Sequence, residues 1–178
     1  MKAVLLFLLI NNFTFFLGYS QEDYPVPKKT DSRLFYIQHS NNHNTYVYDA
    51  NIKDGAIDLI EPIEEYRIVY NEDGEKKPLT LLQKRLAYGV VLLSSDAKRV
   101  KFRLAVSEDL FFYLTYNDNE GARIYVTVND QKMYLEKMFL KLKNKNTGIN
   151  LKAEYILFYG KDFYSNQSIT EKLILKQD

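Results

Sequence analysis

The chain has 178 residues, with 24 lysine and arginine residues against 23 aspartate and glutamate residues, and it contains no cysteine. A formal net charge of only +1 disfavours non-specific binding to nucleic acid, which needs a strong positive excess. The lack of cysteine excludes disulfides, thiol catalysis and cysteine-ligated metals.

Residues 1–20 have the layout of a secretory signal peptide. Lys2 supplies a positive charge, Ala3 to Ile10 is continuously apolar, and Gly18-Tyr19-Ser20 places small residues before an expected cleavage at Gln21. A retained anchor is the alternative, but the apolar stretch is shorter than the roughly 20 residues that span a bilayer. We therefore predict an exported protein of the periplasm or cell surface, neutral and without a transmembrane span after cleavage.

The mature chain is predicted to begin with a flexible leader, because residues 21–31 are polar and contain two prolines. A single β domain is expected over residues 32–178. Its first hairpin is predicted from two aromatic and β-branched runs, Arg33 to His39 and Thr45 to Asn51. Alternation of side chains predicts another strand from Glu65 to Tyr70.

One short helix is predicted after Pro78, where leucines recur at helical spacing until Gly89 interrupts the pattern. Beyond the helix the strand signals become regular. Strands are predicted at Val90 to Leu93, Arg99 to Val106, Leu110 to Tyr116, Ala122 to Val128, Gln131 to Lys143, Ile149 to Tyr159 and Ile169 to Leu175.

The segment Gln131 to Lys143 changes the phase of its apolar positions, from Met133 and Leu135 to Met138. Because successive side chains of a strand point to opposite faces, this change predicts a bulge or bend near Glu136-Lys137. An amphipathic helix is the alternative, since some of the apolar residues also fit helical spacing.

Short strands at spacings of about 8 to 12 residues, separated by tight turns, predict an all-β fold. We expect an antiparallel meander of about nine or ten strands that forms a barrel-like, lipocalin- or calycin-like domain. Closure of the sheet would remove exposed strand edges, which promote aggregation. A two-sheet β-sandwich is the alternative.

The charges are distributed unevenly, with acids dominating residues 49–75 and bases dominating residues 76–103. Complementary, solvated faces that pair across neighbouring strands explain such runs most simply. The alternative is an anionic partner, such as a polysaccharide or a phosphate-bearing surface. The bases considered for that partner are Lys101, Arg103, Lys141 and Lys143.

The two histidines, His39 and His43, flank the predicted first turn, and Asp49 follows on the next strand. A metal would accept these ligands if the hairpin brought them together. Asp49 to Gly55 also resembles a calcium loop, but Lys53 occupies a ligand position and no acid closes the loop, so an ordinary turn explains it better. We predict no cofactor.

Motifs for nucleophilic catalysis are absent, including the Gly-x-Ser-x-Gly elbow and the Gly-rich phosphate loop. We therefore expect a non-enzymatic binding or interaction module, with a metal-dependent or hydrolytic envelope enzyme using His39, His43 and Asp49 as the alternative. The 15 tyrosines and 11 phenylalanines suit strands and ligand surfaces alike. The expected partner is a small amphipathic ligand, an envelope component or another protein.

Four segments are distinctive in combination: Phe35 to Gln38, Asn44 to Asn51, Leu82 to Gly89 and Tyr155 to Glu171. Together they resemble DUF4833, a domain-of-unknown-function family of exported Bacteroidota proteins. The resemblance covers nearly the whole mature chain, and it implies an exported single domain without implying an activity. If members share a binding site, the resemblance offers these polar candidates: Gln38, Asn44, Tyr48, Asp49, Asn51, Gln83, Arg85 and Tyr88.

Overall fold

The computed structural model describes residues 24–175, apart from residue 97 and residues 144–151. Strands dominate this region, and a short helical segment interrupts them between β6 and β7. The strands are β1 Arg33–His39, β2 Asn42–Ala50, β3 Ile52–Lys53, β4 Ala56–Ile57, β5 Ile63–Val69, β6 Glu75–Pro78, β7 Val90–Asp96, β8 Arg99–Leu104, β9 Phe111–Asn117, β10 Gly121–Val128, β11 Gln131–Leu142, β12 Ala153–Asp162 and β13 Ser168–Ile174.

Eleven of these strands form one curled, half-barrel sheet, and β3 pairs with β4 in a separate ribbon. The strand order is β6-β5-β2-β1-β11-β10-β9-β8-β7, and β12 and β13 extend from the other edge of β11. The predicted all-β, barrel-like fold is confirmed. The sheet is mixed, however, because β1 pairs with β11 in parallel, and this ladder breaks the predicted antiparallel meander.

The long strand β11 is where the sheet divides into two arms. Its residues 131–134 pair with β10 and its residues 137–140 pair with β1, while β12 runs along the opposite edge. The register with β12 shifts between Leu135 and Lys137, so Glu136 is the extra residue of a bulge. The predicted bulge is therefore confirmed, and the helical alternative is wrong.

Gly160 of β12 lies against this bulge. A Cβ atom at Gly160 would stand 1.9 Å from the Tyr134 carbonyl oxygen, so a larger residue would force the two strands apart. We expect Gly160→Ala to lower the free energy of unfolding by about 3 kcal/mol, measured by urea denaturation. Ser168→Ala on the exposed neighbouring strand is the control and should change it by less than about 0.5 kcal/mol. Equal stabilities of the two variants would contradict the close approach.

The core lies between the two arms and is built largely from aromatic rings. Phe35 of β1 stacks on Tyr48 of β2 with ring centroids 4.3 Å apart, and on Phe112 of β9 at 5.7 Å. Phe112 in turn stacks on Phe102 of β8 at 5.3 Å. All four side chains are fully buried, so this stack joins the β1-β2 arm to the β8-β9 arm.

The predicted flexible leader touches the sheet at the start of its described part, where Tyr24 and Pro27 are buried, whereas residues 28–31 are exposed. Tyr24 is buried and meets the Phe139 ring edge-on, with centroids 5.3 Å apart. The Gln38 side-chain amide donates a hydrogen bond to the Pro25 carbonyl at 2.8 Å. These contacts attach the segment to β1 and β11.

The predicted signal peptide, residues 1–20, and the first leader residues, 21–23, lie outside the described part of the chain. Within the described part, no helix has the length and apolar character needed to cross a membrane.

Candidate ligand-binding cavity

A cavity of about 710 Å³ opens between the two arms, the helical segment and strands β11 to β13. This volume lies within the range of roughly 300 to 1,000 Å³ that small-molecule sites occupy. Its inner end is formed by buried side chains such as Ile37, Phe112 and Met138, whereas the exposed Leu82 and Leu86 stand at its mouth. The lining is mainly apolar, which suits the apolar body of a ligand.

The helical segment at the mouth begins later than the sequence predicts. Pro78 still pairs with Tyr66 of β5, and the α-helical turn spans Leu81–Gln83. Thr80 caps this turn: its hydroxyl accepts a hydrogen bond from the Gln83 N–H at 3.2 Å, and the Gln83 side chain accepts one from the Thr80 N–H at 3.0 Å. Because this capping box forms at Thr80, the helical segment begins there and not at Pro78.

The α-helical turn widens into a π-helical turn, Lys84–Tyr88. The Gly89 N–H closes it by donating to the Lys84 carbonyl at 3.1 Å, and a Cβ atom at Gly89 would stand only 2.3 Å from that oxygen. Gly89 therefore permits the wide turn to pass directly into β7. Such turns are rare and occur frequently at functional sites, and this one places Tyr88 in the cavity wall.

A polar cluster of three buried side chains, His39, Tyr46 and Tyr88, stands in the inner wall. The Tyr46 and Tyr88 rings stack with centroids 3.6 Å apart, and His39 packs beside Tyr46 at 5.4 Å. The Tyr88 hydroxyl lies 3.2 Å from Nε2 and 3.4 Å from Nδ1 of His39. From behind, the Tyr48 hydroxyl donates to the Tyr88 carbonyl at 2.8 Å, which holds the cluster in place.

The polar cluster is uncharged at neutral pH. Burial lowers the pKa of His39 to about 4, so its imidazole is neutral. Burial is also the main cause that raises the pKa of Tyr88, followed by the neighbouring Tyr46. The cavity thus presents neutral donors and acceptors on an otherwise apolar inner wall.

Of the eight family-derived candidates, two line this cavity, Gln83 at its mouth and Tyr88 at its inner wall. Tyr48 supports Tyr88 through the hydrogen bond to its carbonyl. Arg85 is exposed on the helical segment and does not line the cavity. Only part of the candidate set therefore converges on one site.

Two further candidates, Gln38 and Asn44, lie near the segment that precedes β1. The Gln38 amide donates to the Thr45 hydroxyl at 3.0 Å as well as to the Pro25 carbonyl. The side-chain oxygens of Gln38 and Asn44 are buried and have no hydrogen-bond partner among the described residues. Gln38 thus holds the N-terminal segment, and neither residue lines the cavity.

The last two candidates have structural partners. Asp49 accepts a hydrogen bond from the Arg33 guanidinium at 2.5 Å and one from the Tyr66 hydroxyl at 2.9 Å. The Asn51 amide donates to the Glu61 carbonyl at 2.7 Å, which ties the chain across the β3-β4 ribbon. Both side chains are engaged in holding strands together.

The structure does not bring His39, His43 and Asp49 together. In the β1-β2 register His39 stands beside the turn, opposite Asn42, whereas Asp49 pairs with Arg33 at the far end of the hairpin. Six residues of strand separate the two positions by roughly 20 Å. This hairpin therefore does not form the metal site that the sequence analysis considered as an alternative. The described residues contain no group of three histidine, cysteine, aspartate or glutamate side chains that could hold a metal ion.

The segment from Asp49 to Gly55, which resembles a calcium loop, contains an ordinary turn, as the sequence analysis predicted. Lys53 pairs with Ala56 in the β3-β4 ribbon, and Asp54 and Gly55 between them both have positive φ, 51° and 74°. Two such residues form the tight turn that matches the twist of a hairpin.

The uneven charge runs are partly explained by pairing between them. The Lys76 Nζ atom lies 2.8 Å from a carboxylate oxygen of Glu64, and the Lys84 Nζ atom lies 3.0 Å from one of Glu65. Among the bases proposed for an anionic partner, Lys101 lies over the Phe111 ring and Arg103 donates to main-chain carbonyls after β8. The two ion pairs are the pairing of complementary charges that the sequence analysis favoured.

Sequence reasoning missed the role of His39, which it considered only as a metal ligand, and all the apolar walls supplied by β11 to β13. His39 belongs to a polar cluster in an otherwise apolar inner wall, and no local pattern marks that position. The abundance of tyrosine, which suits ligand surfaces, was the usable signal, because Tyr46 and Tyr88 both belong to this cluster.

A comparison with family models places the chain. The model described as "Domain of unknown function (DUF4833)" matches residues 35–172. The chain belongs to this family. The match includes the three residues of the polar cluster and all of the cavity lining except Leu173 and Leu175. No curated protein and no solved structure was found to match the chain.

Proposed function

We propose that this DUF4833 member is an exported, non-enzymatic binding protein that takes a small amphipathic ligand into the cavity between its sheet arms. One observation carries the proposal: an apolar cavity of about 710 Å³ that holds an uncharged polar cluster at its inner end. A large apolar site with a few convergent polar groups is the usual form of a small-molecule site.

The direct test is binding of N-phenyl-1-naphthylamine, a neutral apolar dye whose fluorescence rises when it leaves water. We expect saturable binding with one dye per chain. Two variants that fill the cavity, Ala87→Trp and Ala153→Trp, should each weaken binding at least about 10-fold, because both alanines line it.

Leu81→Trp is the matched control for the added ring. Leu81 is exposed beside the cavity mouth but does not line the cavity, so its replacement should leave dye affinity unchanged. Circular dichroism checks that each variant is folded. Absence of saturable binding, or an equal loss in all three tryptophan variants, would overturn the proposal.

The proposed location is the periplasm or the outer cell surface. Its support is the apolar run of residues 1–20 and the resemblance to exported Bacteroidota proteins. Mass spectrometry of the protein recovered from cell envelopes is expected to find a chain that begins at Gln21. A chain that keeps Met1 and stays in the cytoplasmic fraction would contradict export.

A further inference from the structure

His39 has more hydrogen-bonding capacity than its surroundings satisfy. Its ring is 2% exposed and lines the cavity, and among the described residues its two nitrogens have only the Tyr88 hydroxyl as a partner. The nitrogens of an imidazole point in diverging directions, so one hydroxyl cannot make a well-directed hydrogen bond to both. One ring nitrogen is thus buried without a well-directed hydrogen bond. This lowers the stability of the folded protein unless a bound ligand forms that hydrogen bond.

The charges around the cavity restrict what that bound group is. Among the described residues, no acidic side chain lines the cavity, and the charged lining residues are Lys143, directly after β11, and Lys152, directly before β12. An ionised group at the inner end would lose its hydration and find no counter-charge beside the polar cluster. An uncharged oxygen would instead replace its hydrogen bonds to water by hydrogen bonds to His39 and the tyrosine hydroxyls.

We propose that the ligand of this cavity is an apolar molecule that carries an uncharged oxygen, a hydroxyl or a carbonyl, at the end that enters first, bound by His39 and the Tyr88 hydroxyl. This inference rests on the proposed function and names the ligand class. A hydroxyl can both donate and accept, and a carbonyl accepts from the Tyr88 hydroxyl or a ring N–H, so both match a neutral imidazole-tyrosine pair.

Two pairs of ligands, each nearly equal in shape, test this chemistry. The first pair is 2-acetylnaphthalene and 2-isopropenylnaphthalene, which replaces the carbonyl oxygen by a methylene group, and the second is 2-naphthol and 2-methylnaphthalene, which replaces the hydroxyl by a methyl group. Affinities are measured by displacement of N-phenyl-1-naphthylamine from the full-length protein as exported. The oxygen-bearing ligand of each pair is expected to bind about 5- to 10-fold more tightly than its hydrocarbon.

Tyr88→Phe and His39→Phe identify the residues responsible. Each variant should reduce the preference for oxygen to about 2-fold or less while leaving each hydrocarbon within about 3-fold of its wild-type affinity. Tyr164→Phe, which removes an exposed tyrosine hydroxyl outside the cavity, is the matched control and should keep the full preference.

The outcomes separate this inference from the proposed function. If the dye binds and the cavity-filling variants block it, but oxygen brings no preference, the ligand class is wrong and the binding function stands. A preference that survives both Tyr88→Phe and His39→Phe would also overturn the assignment to these residues. Failure of the dye to bind would overturn both proposals together.

Discussion

Acidification from pH 7 to pH 4 is expected to lower the free energy of unfolding by about 3 kcal/mol through His39 alone. Burial lowers the pKa of this imidazole from 6.5 to about 4 in the folded protein. The unfolded chain therefore takes up a proton near pH 6.5, whereas the folded protein resists protonation until about pH 4. Acid thus favours the unfolded state, and the stabilisation is fully present only above the unfolded pKa.

Urea denaturation at several pH values between 4 and 7, at constant ionic strength, measures this effect. Other carboxylates also respond to acid, so the comparison is with His39→Gln, which keeps them all. The variant should show a stability profile that is flatter by about 3 kcal/mol over this range. Ser168→Ala removes no titratable group and should follow the wild-type profile. Parallel profiles for wild type and His39→Gln would show that His39 is accessible to protons in the folded state.

The second large effect is expected from Asp49→Ala, which should destabilise the protein by about 3 to 5 kcal/mol. Asp49 and Arg33 form an ion pair with an N–O distance of 2.5 Å, and both side chains are only 11% exposed. The Tyr66 hydroxyl donates to the same carboxylate at 2.9 Å and accepts from the Arg33 guanidinium at 3.0 Å. Removing the carboxylate leaves a buried guanidinium without its counter-ion.

An exposed ion pair on neighbouring strands provides the control. Glu64 pairs with Lys76, and both side chains are about half exposed, 47% and 54%. Glu64→Gln should therefore cost less than about 1 kcal/mol in chemical denaturation. The double variant Arg33→Met, Asp49→Leu should be more stable than Asp49→Ala, because no unpaired charge remains. A cost for Asp49→Ala as small as that for Glu64→Gln would mean that the pair is solvated.

The local elements were largely predictable because each leaves a pattern in a short stretch of sequence. The strand at β8 alternates apolar and basic residues, and the structure buries Val100, Phe102 and Leu104 on one face. The bulge at Glu136 was readable in the same way, because a strand whose apolar positions change phase must insert one residue to keep them on the buried face.

Other features had no local signal. Strand β6, Glu75–Pro78, is a charged segment that ends in proline, and it becomes a strand only because β5 offers it an edge. The N-terminal segment is predicted to be flexible because its own composition is polar, and its contacts come from Gln38 of β1 and Phe139 of β11. In both cases the contact partner lies in another strand, outside the segment itself.

The residues of the candidate site were also only partly predictable from the sequence. The family resemblance placed Tyr88 and Gln83 among the polar candidates, and both line the cavity. It equally selected Asp49 and Asn51, whose roles are structural. Polar residues of both kinds look alike in sequence. Only the direction and surroundings of a side chain show whether it faces the cavity or holds two strands together.

The sequence by itself determined the all-β class, the strand pattern from β7 onward and the bulge of β11, because side-chain alternation within a strand is a local property. Only the tertiary structure decided that β1 joins β11 in parallel, that two arms enclose a cavity, and that His39 is a neutral group in its wall. Pairing between strands about 100 residues apart depends on the packing of whole faces, and the protonation of a histidine depends on what buries it.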